Sequence, residues 1–284
     1  MNNKIKNAFT VDVEDFFQVE AFSQVIDKNK WDDYTCRVES NTDVILELLE
    51  TANVKGTFFI LGWIAKRYPQ VVKKISELGH EVASHGMSHQ LIYNQDMNVF
   101  KQETIDSKKL LEDLSQQPVN GYRAATYSIT NKSLWALDIL VDAGFKYDSS
   151  IFPMRHDRYG ISDACAVPNI VKTPKGQSLV EFPISTVKNR YFTLPIAGGG
   201  YFRLFPYKLT QWGLSSINKN NTPFVFYIHP WEIDTNQPRV EGISKSTKFR
   251  HYNNISRCSS RLTSLLKDFE FTTMEVVLME QNLL

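Results

Sequence analysis

His85 and His89, four positions apart in SHGMSH, can offer two imidazoles to one ion. About seventy positions earlier, DVED places Asp12, Glu14 and Asp15 directly after an apolar run. Two neutral imidazoles, a carboxylate and a water make an open zinc-type site able to activate that water for hydrolysis. If the 85–89 segment is helical, the spacing stacks both rings on one face. The stretch lacks the glutamate of H-E-x-x-H, which argues against a zinc protease of that kind. Asp12, at a strand end, is placed to act as a general base, with Glu14 or Asp15 as third metal ligand. The plainer alternative is an acidic loop that caps a helix beginning near residue 15. His229, in YIHPWE, is a candidate general acid because imidazole titrates near neutral pH; a core histidine is the commoner explanation for such a residue. Arg123 beside Asp12 would keep the base ionised and oriented. Asp148 could orient His229 or cap a turn. AGGG (197–200) lacks a following Lys-Ser/Thr, so it reads as a tight turn or a close backbone approach.

These residues share a position: each follows a run with strand character. AFTVDV, GTFFILG, HEVAS, VNGYR, FKYDS, EFPIS, YFRLF and PFVFYIH read as strands, with FEFTT as a short late one. Helical patterns fall between them. NTDVILELLETAN carries an apolar face with Asn41 or Thr42 as N-cap. The pattern over 63–78 is broken at Pro69 into two pieces and stops at Gly79. Further helices are expected near 97–115, 131–143, 206–218 and 255–267. Alternating strands and helices predict an α/β fold with a mainly parallel sheet, closed into a barrel. In such barrels the C-terminal strand ends share one rim, so residues far apart in sequence converge there.

Composition narrows the function. The chain has 284 residues, 42 % hydrophobic, with a formal net charge of +1. That leaves no global basic field for nucleic acid or an anionic membrane. Cys36, Cys165 and Cys258 are far apart and odd in number, which fits a reducing compartment. No apolar run is long enough for an integral membrane segment, and acidic residues stand where a signal peptide needs apolar ones. The expectation is a cytoplasmic protein.

The stretches FTVDVEDFFQVEAF, GTFFILGWIAKRYP, GHEVASHGMSHQLIY, GYRAATYSI, YDSSIFP, GGGYFRLFP, YIHPWEID and KFRHYNNI run from residue 9 to about 255. Together they resemble the polysaccharide deacetylase family, carbohydrate esterase family four. Within it they are most similar to a subgroup found beside exosortase systems in exopolysaccharide gene clusters. The resemblance implies a deformed (β/α) barrel of NodB type, one catalytic domain over 1–284 with a subgroup-specific portion from about 200. It implies a divalent metal, zinc first and cobalt or manganese as alternatives, and hydrolysis of N-acetyl groups on amino sugars of a polysaccharide or its precursor. The substrate partner would be an N-acetylated polysaccharide or oligosaccharide, with a link to exopolysaccharide synthesis machinery. On the same resemblance Asp12 is the base, His85 and His89 are the metal histidines, and Glu14 or Asp15 supplies the metal carboxylate. Arg123 accompanies the base, and His229, oriented by Asp148, is the acid. A backbone N–H near Tyr127 would meet the oxyanion. DVED departs from the family's adjacent acidic pair, and Ala125 stands where the family usually has proline. Phe16, Phe17, Tyr127 and Trp231 could stack on sugar faces, and Glu181 and Glu232 could contact sugar hydroxyls or amines. Two other readings stand beside this one: a catalytically silent polysaccharide binder, and a metal-dependent hydrolase of another amide C–N bond.

Overall fold

A parallel strand covered on both faces needs a nearly unbroken apolar run, and the stretches above supply them. The computed structural model describes residues 5–156, 158–188 and 192–284. Its strands are β1 (Lys6–Val13), β2 (Thr57–Ile60), β3 (Glu81–Ser84), β4 (Gly121–Tyr122), β5 (Tyr147–Asp148) and β6 (Asn169–Lys172). There follow β7 (Ser178–Glu181), β8 (Thr186–Lys188), β9 (Thr193–Pro195), β10 (Val225–Ile228) and β11 (Glu270–Thr272). Among the described residues nine strands form one sheet in the order β10-β1-β2-β3-β4-β5-β7-β6, with β11 also paired to β1. Every pairing in it is parallel except β6 with β7. β8 and β9 form a separate antiparallel pair. The sheet curls until the β10 edge meets the segment after β7, where Val225 N–H donates to Ser185 Oγ at 2.9 Å. The same edge makes one isolated backbone bridge, Tyr227 N–H to the Ala197 carbonyl at 2.8 Å, but no continuous ladder, which makes the α/β barrel a deformed one.

Side chains alternate across each strand, and that alternation separates two cores. Val11, Phe58 and Phe226 face outward under the helices, whereas Ala8, Phe59, Ala83, Tyr147, Val225 and Tyr227 fill the interior. Met274, Val277 and Leu278 of the last helix, Met274–Glu280, join the interior cluster. The helices Gly62–Arg67 and Pro69–Glu77 are split as expected, with Pro69 in the first turn where its missing N–H costs no bond. The helix Met97–Ser115 also lies where its pattern predicts.

Three local expectations fail. The helix Val38–Thr51 starts ahead of Asn41 and Thr42, and Asn41 donates to Asp234 Oδ2 at 3.2 Å instead of capping. EFPIS is not a strand of its own: β7 ends at Glu181, and Pro183, lacking an N–H, cannot extend a ladder. YFRLF is helical, within Gly199–Leu204. Gly198, at φ +135°, packs so closely on β10 that a Cβ would lie 1.9 Å from the Tyr227 carbonyl oxygen. This is the close backbone approach expected of AGGG, and it turns the chain directly into that helix. Among the described residues, no helix is long and apolar enough to cross a membrane.

Candidate active site

The interior faces of β1, β3, β4 and β10 each carry a polar residue at or just past the C-terminal end of the strand. On β1 the series Ala8, Thr10, Asp12 shares a face; on the other strands Ala83 leads to His85, Gly121 to Arg123, and Tyr227 to His229. The registers Asp12↔Phe59, Ile60↔Ser84, Ser84↔Tyr122 and Val11↔Ile228 bring these ends to one level.

His85 and His89 do not sit on a helix. Residues 85–90 form a loop in which Gly86 (φ +73°) and His89 (φ +51°) are left-handed, and this brings the ring centroids to 5.3 Å. His85 Nδ1 lies 2.8 Å from the Arg123 carbonyl oxygen, which fixes that nitrogen as the donor and leaves Nε2 as a ligand. Burial pulls the His85 pKa down to about 4, so the ring is neutral, as metal binding requires. Glu14 completes the group: one ligand atom from each of the three residues lies within 4.8 Å of the others. Glu14 Oε2 is 2.5 Å from His89 Nε2, yet it is buried without a hydrogen-bond partner. Burial alone would raise the Glu14 pKa, but His89, His229 and His85 outweigh it and hold it at about 2. An ionised carboxylate with an orphaned oxygen between two imidazoles fits a divalent cation.

Asp15, the other acid left open, is turned away from this group. Its Oδ1 accepts from Phe16 N at 2.7 Å, and its Oδ2 accepts from Arg37 N and from Cys36 Sγ. Gln18 Oε1 accepts in return from Asp15 N at 2.8 Å, a reciprocal cap on the short turn Phe16–Gln18. The capping alternative therefore describes Asp15, while Glu14 faces the cavity. Phe16 and Phe17 belong to the outer core and not to the rim.

Asp12 is held from behind. Arg123 Nη1 donates to Asp12 Oδ1 at 2.6 Å and to Thr10 Oγ1 at 2.8 Å. Its Nε and Nη2 go to Ser149 O and Oγ, and its guanidinium lies 4.0 Å from the Phe59 ring centroid. Asp12 Oδ2 is left 3.9 Å from His229 Nε2, which is also 3.5 Å from Glu14 Oε1. The expected partner of His229 was Asp148; the structure gives it Glu232, whose Oε1 lies 2.7 Å from His229 Nδ1. Glu232 is fully buried and so is no sugar contact. Its Oε2 accepts from Arg203 Nε at 2.7 Å, and Arg203 Nη1 donates to the carbonyls of His251 and Asn253. Burial lowers the His229 pKa, but Glu14, Glu232 and Asp12 outweigh it and raise it to about 9, so the ring is protonated at neutral pH. Trp231 stacks with His229 and with His251, at centroid distances of 5.2 and 4.3 Å. It backs the histidine from the cavity wall.

Asp148 has other work. It pairs in register with Glu181, both are buried, and burial raises the pKa of both carboxyls. Ser150 donates to Asp148 Oδ1 and accepts from Ala124 N, which ties the pair to the loop after Arg123. In that loop the Tyr127 N–H donates to the Ala124 carbonyl at 3.0 Å and the Ser128 N–H to the Ala125 carbonyl at 3.1 Å, so these two amides are engaged within the turn. Thr126 and Tyr127 are both left-handed, at φ +53°, an uncommon conformation for a β-branched threonine, and Thr126 lines the cavity. Arg203 was given no role from the sequence. A charge inside the apolar YFRLF was the available signal, since a buried arginine must find a partner.

These groups open into a cavity of about 640 Å³, within the range of ligand sites. Residues 30–147 match a family model described as polysaccharide deacetylase. Residues 149–279 match a model described as a domain of unknown function, DUF3473. The first matched stretch holds His85, His89 and Arg123, and the second supplies His229, Glu232 and Arg203. A Bacillus cereus peptidoglycan-N-acetylglucosamine deacetylase is 31 % identical over 78 residues, 28 % of this chain and 37 % of that protein. The chain spans about a third of the length of the first curated relatives it matches. Among solved structures, a Mycobacterium smegmatis protein assigned as a polysaccharide deacetylase is 20 % identical, with TM-score 0.61 over 96 % of this chain and 90 % of that one. An allantoinase is 12 % identical, with TM-score 0.64 over 98 % of this chain and 90 % of that one. At these identities the likeness is one of fold.

Proposed function

We propose that this protein is a divalent-metal-dependent N-deacetylase acting on amino sugars of a polysaccharide or its precursor. The observation that carries the reading is the convergence of Glu14, His85 and His89 on one point beside Asp12 and His229. Glu14, His85 and His89 would hold the ion, which we take to be zinc. When bound, it supplies Lewis acidity that polarises the acetyl carbonyl and lowers the pKa of a coordinated water. Asp12 takes the water's proton at Oδ2, because Arg123 occupies Oδ1. His229 donates from Nε2 to the departing nitrogen as the C–N bond breaks, leaving acetate and a free amine. Glu232 holds Nδ1–H throughout, so the ring presents Nε2 to the reaction.

The relative named as a peptidoglycan-N-acetylglucosamine deacetylase supports an amino-sugar substrate. A role in exopolysaccharide synthesis rests on the resemblance of the eight stretches. The test is product identification by mass after incubating the zinc-loaded protein with N-acetylglucosamine oligomers. Acetate with an equal yield of free amine is expected. Bound oligomer without acetate would overturn the reading in favour of a silent binder, and turnover of allantoin alone would assign another C–N bond.

A further inference from the structure

The inner groups occupy only part of the cavity, whose outer lining includes Glu20, Arg158, Tyr159, Tyr201 and Arg250. Arg158 lies in the loop after β5, and Arg250 lies on the helix Lys245–Tyr252. Both are exposed, and neither guanidinium has a carboxylate partner among the described residues. This sets them apart from Arg123 and Arg203, the buried arginines of the site, whose donors are engaged by Asp12 and Glu232. On that helix Lys248 is paired with Glu241 at 3.7 Å, whereas Arg250 lines the cavity, whose outer lining holds Glu20 as its carboxylate.

Two unpaired guanidiniums on separate elements, facing one cavity, have the chemistry to take a carboxylate or phosphate by paired N–H donors. We infer that Arg158 and Arg250 form an anion-binding subsite, and that the substrate is an acidic glycan in which the acetamido sugar adjoins a carboxylate- or phosphate-bearing unit. The inference rests on the proposal that the cavity takes an acetamido sugar. Both arginines belong to the region whose family model carries no function, so that region would select the substrate as well as complete the acid side.

The test compares acetate release by the zinc-loaded protein from three probes: a neutral N-acetylglucosamine oligomer, an oligomer of equal length alternating N-acetylglucosamine with glucuronate, and a phosphate-ended N-acetylglucosamine oligomer. One or both charged probes should show kcat/KM about tenfold or more above the neutral one, carried by KM and reduced by salt. Which of them gains distinguishes a uronate from a phosphate source. In Arg158→Ala/Arg250→Ala the advantage should vanish while the neutral probe is unaffected. No preference in the parent protein, or equal losses on all probes in the double variant, would overturn the subsite. Calorimetric titration of the charged oligomers separates this inference from the proposed reaction. Binding that the double variant loses, without acetate from any probe, would sink the reaction and keep the subsite; absence of binding as well would sink both.

Discussion

The two sides of the site are built on opposite plans. On the metal side, Glu14 Oε2 is buried, unpartnered and 2.5 Å from His89 Nε2, an arrangement that asks for a cation. On the acid side the charges are tied to the fold: Glu232 uses one oxygen for His229 and the other for Arg203, and Arg203 runs on to two backbone carbonyls. A buried ion pair is tolerable when further hydrogen bonds support it, and here the two carbonyls do. On the proposed reading the first side would be completed by an ion, whereas the second is completed by the fold. Losing a ligand and losing a positioning residue should therefore look different.

The largest effect is expected from His85→Ala or His89→Ala. Elemental analysis should show the ion lost and acetate release below detection, with the acid side intact; full ion content in either variant would break the contrast. His229→Ala and Asp12→Asn should keep the ion and lose about 10²- to 10⁴-fold in kcat, the usual worth of general acid–base catalysis. Arg203→Met should keep the ion, lower turnover about 10- to 100-fold, and cost stability of about 3–5 kcal/mol by stranding the Glu232 charge. Arg203→Lys should recover part of both. Thermal unfolding together with ion content checks this, and loss of the ion in Arg203→Met would show the two sides to be one unit.

The smallest effect concerns a neutral histidine outside both sides. His80 Nδ1 accepts from Gly56 N at 3.1 Å, and burial, helped by Lys55, lowers its pKa to about 4. Below an unfolded value near 6.5 the unfolded chain takes a proton that the native state refuses. Stability should therefore fall from pH 6.5 to about 4 and then level off, by at most about 3 kcal/mol from this group. His80→Gln should flatten that window in denaturant titrations without changing turnover at neutral pH. An unchanged acid slope would show that His80 is not its source.

Much of this arrangement was legible in the sequence because it follows from alternation. Asp12, His85, Arg123 and His229 each end an apolar run, and the inward face of each strand does the rest. What escaped depended on contacts between distant segments. Choosing Glu14 over Asp15 needs Arg37 and Cys36, which draw Asp15 into a cap. Recognising Glu232 as the partner of His229 needs Arg203, and Arg203 sits in a short helix whose apolar run reads equally as a strand. The turn bond that takes up the Tyr127 N–H on the Ala124 carbonyl is likewise announced by no residue type.

The account depends on an ion held by Glu14, His85 and His89, and the most direct measurement is acetate release as a function of zinc bound per chain in stripped and refilled protein. It should rise in proportion to zinc and saturate at about one ion per chain. Release that survives complete stripping, or zinc retained at the same level after both histidines are replaced, would contradict it.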